Sequence, residues 1–225
     1  MTQPSQRQIF LDGEGDAWYE RNCQSSPEQR EQWQQQDPLA RLLTELPLPR
    51  GSEVSVLEVG CGQGLRLLRM RQEFGWQVAG VDPSSAAVEA VAQMGLTAHV
   101  ATADVLPIPD ASVDVLIYGF CLYLCDRSDL FKIAAEAHRV LRPESWLAIL
   151  DFWSPHQKVN PYHHRSGVFS YKDDLSAMFA WHPSYVTTDH RLRHHATRAY
   201  TDDPQEWVAT TILRRCDLSP TASHG

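Results

Sequence analysis

Nine residues constrain this chain more than any others. Val56-Leu-Glu-Val-Gly-Cys-Gly-Gln-Gly64 runs an apolar strand straight into a turn with glycine at every second position. Glycine tolerates backbone angles and a closeness of approach that a Cβ would block, so a ligand can lie directly on the main chain of such a turn. The turn sits at the carboxyl end of what reads as the first parallel strand, where open α/β sheets bind ligands. Asp82 follows 18 residues after Gly64, at the end of the next strand, where its carboxylate can accept two hydrogen bonds from a ribose diol. The turn alone also fits a ligand-free strand–helix junction; the strand, the helix and the acid together favour a nucleoside ligand.

Two nucleoside cofactors compete for that reading. A dinucleotide fingerprint would need glycine where Leu65 stands. Glu58, just before the turn, opposes a pyrophosphate and suits a ligand ammonium, which favours S-adenosylmethionine over NAD. From Val54 onward the hydrophobic pattern predicts strands over Val54–Val59, Gln77–Val81, Thr97–Val100, Val113–Tyr118 and Trp146–Asp151. Helices are expected over Leu65–Phe74, with Arg66, Arg69 and Arg71 facing solvent, from Asp82-Pro83-Ser84 to Met94, and over Asp129–Leu141. Strands separated by helices imply crossovers, hence a parallel sheet covered on both faces. A Pro/His-rich loop (Ser154–Gly167), a short helix near Lys172–Ala180 and an antiparallel pair, Tyr185–His194 with Trp207–Leu213, complete the pattern. Upstream lie a polar Gln-rich stretch, Gln24–Gln36, and a helix over Leu39–Leu46 closed by Pro47-Leu-Pro49.

Four segments carry a family resemblance: Glu58-Val-Gly-Cys-Gly-Gln-Gly64, Val81-Asp82-Pro-Ser84, Thr102-Ala-Asp104-Val-Leu-Pro107 and Arg139-Val-Leu-Arg-Pro143. In order and spacing they resemble the class I S-adenosylmethionine-dependent methyltransferases, type 11/12-like and acting on small molecules, over about residues 50–155. The resemblance implies an α/β Rossmann-like three-layer sandwich, with a seven-stranded, mostly parallel sheet and an antiparallel addition at its end. It places Gly60, Cys61, Gly62 and Gly64 under the methionine and ribose, Glu58 near the amino end, and Asp82, Pro83 and Ser84 at the ribose. Ala103, Asp104 and Val105 face the adenine, and Gly119 and Phe120 close the pocket. Thr102 stands where relatives often carry Asp, so the adenine contact is expected to fall to Asp104.

The segment Phe10-Leu-Asp-Gly-Glu-Gly-Asp-Ala-Trp-Tyr-Glu-Arg-Asn22 resembles one found in a subgroup of bacterial methyltransferases. It is expected to act as a helical lid: residues 1–50 form an extension whose Trp18 and Tyr19 cover the cofactor and whose Arg21 or Asn22 contacts its polar end. Residues 51–225 are expected to form the S-adenosylmethionine-binding domain, the whole being one structural unit. The alternative is a segment merely packed on the domain. For the acceptor side, Tyr123, His156, His163 and His164 are the candidate catalytic groups. Arg191, Arg193 and His195 share a strand face that would suit an anionic acceptor, a solvated surface or a subunit contact. No metal is expected, since a strand sends the neighbours in His163-His164 and His194-His195 to opposite faces.

Charge and cysteine content narrow the partners. Twenty Lys and Arg against 28 Asp and Glu give a net charge of −8, which argues against a DNA partner. No apolar run reaches the length of a membrane helix. Five cysteines in no CxxC spacing read as reduced thiols in a cytoplasmic setting. The expected reaction is methyl transfer from S-adenosylmethionine to a small-molecule acceptor, an oxygen first, leaving S-adenosylhomocysteine. A non-catalytic S-adenosylmethionine-binding protein, an N-methyltransferase acting on a small metabolite or tRNA, and a homo-oligomer stay open.

Overall fold

The computed structural model describes residues 4–23, 28 and 36–218. Its main sheet has seven strands in the order β3-β2-β1-β4-β5-β9-β8. These are β1 Ser55–Val59, β2 Gln77–Asp82, β3 Thr97–Val100, β4 Val113–Gly119, β5 Leu141–Phe152, β8 Tyr185–His194 and β9 Trp207–Arg215. β1 to β5 pair in parallel, and β9 runs antiparallel to both β5 and β8. This is the Rossmann-like arrangement expected.

Strand residues alternate between two cores, as a period of two requires. Val56, Val115 and Ile117 pack with Leu39, Leu43, Met70 and Phe74 on one face. Leu57, Leu116 and Tyr118 pack with Ile133, Ala137 and Phe179 on the other. The first face is covered by α3 (Pro38–Leu43) and α4 (Leu65–Phe74), the second by α6 (Leu130–Val140) and α7 (Ala177–Ala180). α5 (Ser85–Gln93) buries Ala87 and Val91. Upstream, α1 (Gln6–Ile9), a π-helical turn (Phe10–Glu14) and α2 (Gly15–Cys23) form the N-terminal segment. α2 lies against α5.

Several expectations need correcting. Arg66 does not face solvent; it is 3% exposed, because two carboxylates meet it beneath the sheet end. The Pro/His-rich stretch is not all loop: β6 (Lys158–Pro161) pairs antiparallel with β7 (Phe169–Lys172) as a separate hairpin. That second strand takes Lys172 out of the expected helix, which shrinks to Ala177–Ala180 behind the turn in which Asp174 accepts from the Ser176 amide at 3.1 Å. The Gln-rich stretch lies outside the described residues, apart from Glu28 and Gln36.

Candidate functional site

The glycine turn is held by β2. The Gly60 and Cys61 amides both donate to the Val81 carbonyl, at 2.8 and 3.2 Å, and the Gly64 amide donates to Cys61 at 2.8 Å. Gly60 shows why the residue must be glycine: its φ is 75°, and a Cβ there would lie 2.7 Å from Cys121 Cβ, behind β4. The Cys61 side chain tucks down over Gly80, and burial pushes its thiol well up. Asp82, at the tip of β2, accepts from the Gly62 amide at 3.0 Å and from the Ser84 amide at 2.9 Å. Burial raises its carboxyl to about 6, against the pull of those two amides. Ser84 is turned to capping instead. Its hydroxyl accepts from the Ala87 amide at 3.0 Å and donates to Asp16 at 2.7 Å.

Beneath the turn lies a buried ion network. Arg66 donates Nε and Nη2 to the two oxygens of Asp37, at 2.7 and 3.1 Å, and Nη1 to Glu58 Oε1. Burial drives the Glu58 carboxyl up to about 7, with the Arg66 guanidinium pulling the other way. Glu58 Oε2 is buried without a hydrogen-bond partner among the described residues. Gly119 is the backbone over this pair, since a Cβ there would sit 2.7 Å from Arg66 Nη1 and 2.9 Å from Glu58 Oε1. Asp37 also accepts from the Leu39 amide at 3.1 Å, so one carboxylate caps α3 and anchors the arginine.

Above the sheet end opens a cavity of about 100 Å³ with an open mouth. Trp18, Gly60, Asp82, Pro83, Asp104 and Phe120 stand on its wall, so residues far apart in sequence meet there. Gly62 adjoins it through Asp82, whereas Ala103 is buried in the core and Val105 is 59% exposed at the surface. Gly64 packs against Val91 of α5. Asp104 is 7% exposed; Thr102 donates to its Oδ1 at 2.8 Å, and Arg7 of α1 pairs with its Oδ2 at 2.6 Å.

The N-terminal segment is fastened over this cavity at several points. Gly15 lies so close to the β2–α5 turn that a Cβ would come 3.1 Å from the Ser84 amide nitrogen. Asp16 beside it accepts from Ser84 Oγ and, at 3.0 Å, from the Ala86 amide, covering the amino end of α5. Gln6, 4% exposed, donates to the carbonyls of Leu124 and Phe169 at 2.8 and 3.1 Å and accepts from the Phe169 amide at 2.6 Å. It thereby ties the segment to the β6–β7 hairpin. Arg21 pairs with Glu14 at 2.5 Å and donates to the Tyr162 hydroxyl at 3.0 Å, and Tyr19 is half-buried. Neither Arg21 nor Tyr19 stands on the cavity wall. Gln6 and Arg7 escape a sequence reading, because a lone Gln or Arg in a short polar stretch carries no periodic or motif signal.

On the acceptor side, Tyr123 is half-buried and off the cavity wall, and its phenol is pushed up by burial and by the Asp151 carboxylate, against a hydrogen bond from Trp18. Asp151 accepts from the amides of Leu122, Tyr123 and Phe152 at 2.9, 3.3 and 2.8 Å, and burial raises it to about 7. His156, His163 and His164 are exposed and off the cavity wall, His164 lying against Tyr162 with ring centres 5.3 Å apart. Arg191 pairs with Asp189 at 2.7 Å, and Arg193 stacks on Tyr200 at 4.0 Å. His194 and His195 do not diverge as a strand would demand: the chain turns after β8, and their rings stack 5.3 Å apart beside Glu206. His194 Nδ1 accepts from the amides of Ala196 and Thr197, at 3.0 and 3.2 Å, which leaves the ring proton on the Nε2 that faces Glu206.

Comparison with known proteins agrees with this architecture. Residues 56–144 match the methyltransferase domain family. A curated relative, the 27-O-demethylrifamycin SV methyltransferase of Amycolatopsis mediterranei (strain S699), is 35% identical over 120 residues, covering 50% of this chain and 43% of that protein. The chain therefore spans under half the length of that relative. Among solved structures, the 1,6-didemethyltoxoflavin-N1-methyltransferase of Burkholderia thailandensis superposes with a TM-score of 0.65 at 16% identity, over 94% of this chain and 87% of that one. The Haloferax volcanii complex of the Trm112 methyltransferase activator with a putative methyltransferase gives 0.66 at 20% identity, over 95% and 98%. The matched domain over residues 56–144, the strand order and the glycine turn with Asp82 behind it are those of a methyltransferase domain on a Rossmann-like fold.

Proposed function

We propose that this chain transfers a methyl group from S-adenosylmethionine to an oxygen of a small-molecule acceptor. The observation that carries the reading is the cavity at the end of β1, β2 and β4, which gathers the glycine turn, Asp82 and Asp104 around one space. The residues present fit the cofactor. Among the described residues Glu58 Oε2 is a buried acceptor lacking a partner, suited to an ammonium close to the turn. Asp82 holds its two backbone hydrogen bonds with lone pairs left for a ribose diol, and Asp104 offers an acceptor for an exocyclic amine. When bound, S-adenosylmethionine supplies an electrophilic methyl carbon on a sulfonium. Trp18 and Phe120 wall the space and exclude water, and aromatic faces attract such a cation.

Oxygen as the acceptor atom is supported by the name of the rifamycin relative, an O-methyltransferase of a small molecule. A net charge of −8 supports a non-nucleic-acid acceptor. Five free thiols suit a reducing, cytoplasmic setting, and among the described residues no helix is long and apolar enough to cross a membrane. The test is calorimetric titration with S-adenosylmethionine, S-adenosylhomocysteine and NAD, then radiolabelled methyl transfer to a panel of phenols, hydroxy acids and nitrogen heterocycles. Binding of the first two ligands with label appearing on a hydroxyl is the expected result. NAD binding without S-adenosylmethionine binding would overturn the cofactor, and label on nitrogen alone would overturn the acceptor atom.

A further inference from the structure

We propose that Arg7 is a cofactor-positioning residue, acting through Asp104 to make the adenine end of the cavity selective for a 6-amino purine. The proposal rests on reading the cavity as the S-adenosylmethionine site. Arg7 stands on the cavity wall itself, and among the described residues it is the one cation there, against the carboxylates of Asp82, Asp104, Asp126 and Asp129. Its guanidinium reaches Asp104 Oδ2 at 2.6 Å, while Thr102 holds Oδ1 at 2.8 Å. A carboxylate gripped at both oxygens cannot rotate, yet each oxygen keeps a lone pair. A fixed carboxylate acceptor rewards an amino group at purine C6 and penalises a carbonyl there, whose lone pairs face those of the carboxylate oxygens.

The arginine is itself delivered by a fixed element. Its backbone amide donates to Asp126 at 3.3 Å, and its neighbour Gln6 is bound to Leu124 and Phe169. The pair therefore does two things together: it orients Asp104, and it fastens the N-terminal segment across the purine end. Asp16 and Gly15 fasten the same segment beside Asp82, at the ribose end. Losing Arg7 leaves several carboxylates uncompensated at the cavity and frees one of these fastenings.

The experiment is calorimetric titration of the full chain with S-adenosylhomocysteine and with S-inosylhomocysteine, whose O6 replaces the amino group. It compares the unaltered protein with Arg7→Ala, Arg7→Lys, Asp104→Asn and the Arg7→Ala/Asp104→Asn pair, alongside hydrogen exchange of the N-terminal segment. Arg7→Ala is expected to weaken S-adenosylhomocysteine about tenfold, to narrow the preference over the inosyl compound, and to remove part of the ligand-induced exchange protection of residues 5–16. Arg7→Lys should restore part of the loss, and Arg7→Ala should add little on the Asp104→Asn background. Unchanged affinity in Arg7→Ala, or an equal loss for both purines with the preference intact, would overturn the proposal. Failure of the unaltered protein to bind S-adenosylhomocysteine would instead bring down the cofactor reading beneath it.

Discussion

Replacing Arg66 by Met tests whether the carboxylates under the glycine turn are held by their arginine. The side chains of Arg66, Asp37 and Glu58 are 3%, 0% and 3% exposed, so solvent screens little of the interaction. Met keeps most of the volume and removes only the charge and the donors. Breaking a buried ion pair by deleting one partner costs about 3–5 kcal/mol, because the other charge stays in the low-dielectric interior. That is a large share of the roughly 5–15 kcal/mol that holds an ordinary domain folded. At roughly 2–4 °C per kcal/mol for a chain of this size, the midpoint of thermal unfolding should fall by about 6–20 °C. The loss should depend on pH. With the guanidinium gone, burial holds the Glu58 carboxyl still further above its unfolded value. The stability such groups contribute is present below the unfolded pKa of about 4 and lost as pH rises through the folded one. Urea unfolding at about pH 8 and about pH 5.5 should show the larger deficit at the higher pH. Adding Asp37→Asn and Glu58→Gln to the variant should recover much of it. A deficit under about 1 kcal/mol at both pH values would refute the reasoning, since it is what a solvated surface pair is worth.

Other perturbations separate the parts of the site. Asp82→Ala should weaken S-adenosylhomocysteine binding by at least tenfold in calorimetry while leaving the thermal midpoint nearly unchanged, because the carboxylate it removes is held above its ordinary range by burial. Gly15→Ala should loosen the N-terminal segment from the β2–α5 turn, read as faster limited proteolysis near residue 15 with a small loss of global stability. Asp82, Glu58 and Asp151 are all raised by burial, to about 6, 7 and 7, so stability of the ligand-free protein should increase as pH is lowered from about 8 towards 5. S-adenosylhomocysteine affinity should move the opposite way, since protons compete for the same acceptors, and calorimetry in buffers of different ionisation enthalpy should detect proton release on binding.

The sheet was legible because its central strands, β1 and β4 among them, are buried on both faces and therefore read as short apolar runs. Val54–Val59, Gln77–Val81 and Val113–Tyr118 fall within a residue or two of β1, β2 and β4. The β6–β7 hairpin was not legible. Its four-residue strands form no part of the main sheet, and β7 gains a second partner in Gln6, 163 residues away from Phe169. Pattern reading has no access to a strand that one distant amide helps to hold.

The same contrast runs through the cavity. The glycine turn and Asp82 are joined by a hydrogen bond across 20 residues, within one strand–helix–strand unit, and local spacing suffices to bring them together. Arg66 and Asp37 are 29 residues apart, Arg7 and Asp104 are 97, and Gln6 and Leu124 are 118. In each of these pairs one partner comes from the region before β1, where composition gave only polar or mixed sequence. Arg66 carries the sharpest lesson. Its place on an amphipathic helix predicts solvent, because periodicity assigns faces by hydrophobicity and cannot see a charge arriving from outside the helix. Asp37 supplies that charge while capping α3, so the helix that covers the sheet also neutralises the arginine beneath the glycine turn. Arg66 meets two carboxylates, yet only Glu58 lies inside the recognisable motif. The second comes from the upstream segment, which makes that segment part of the site's electrostatics as well as its cover.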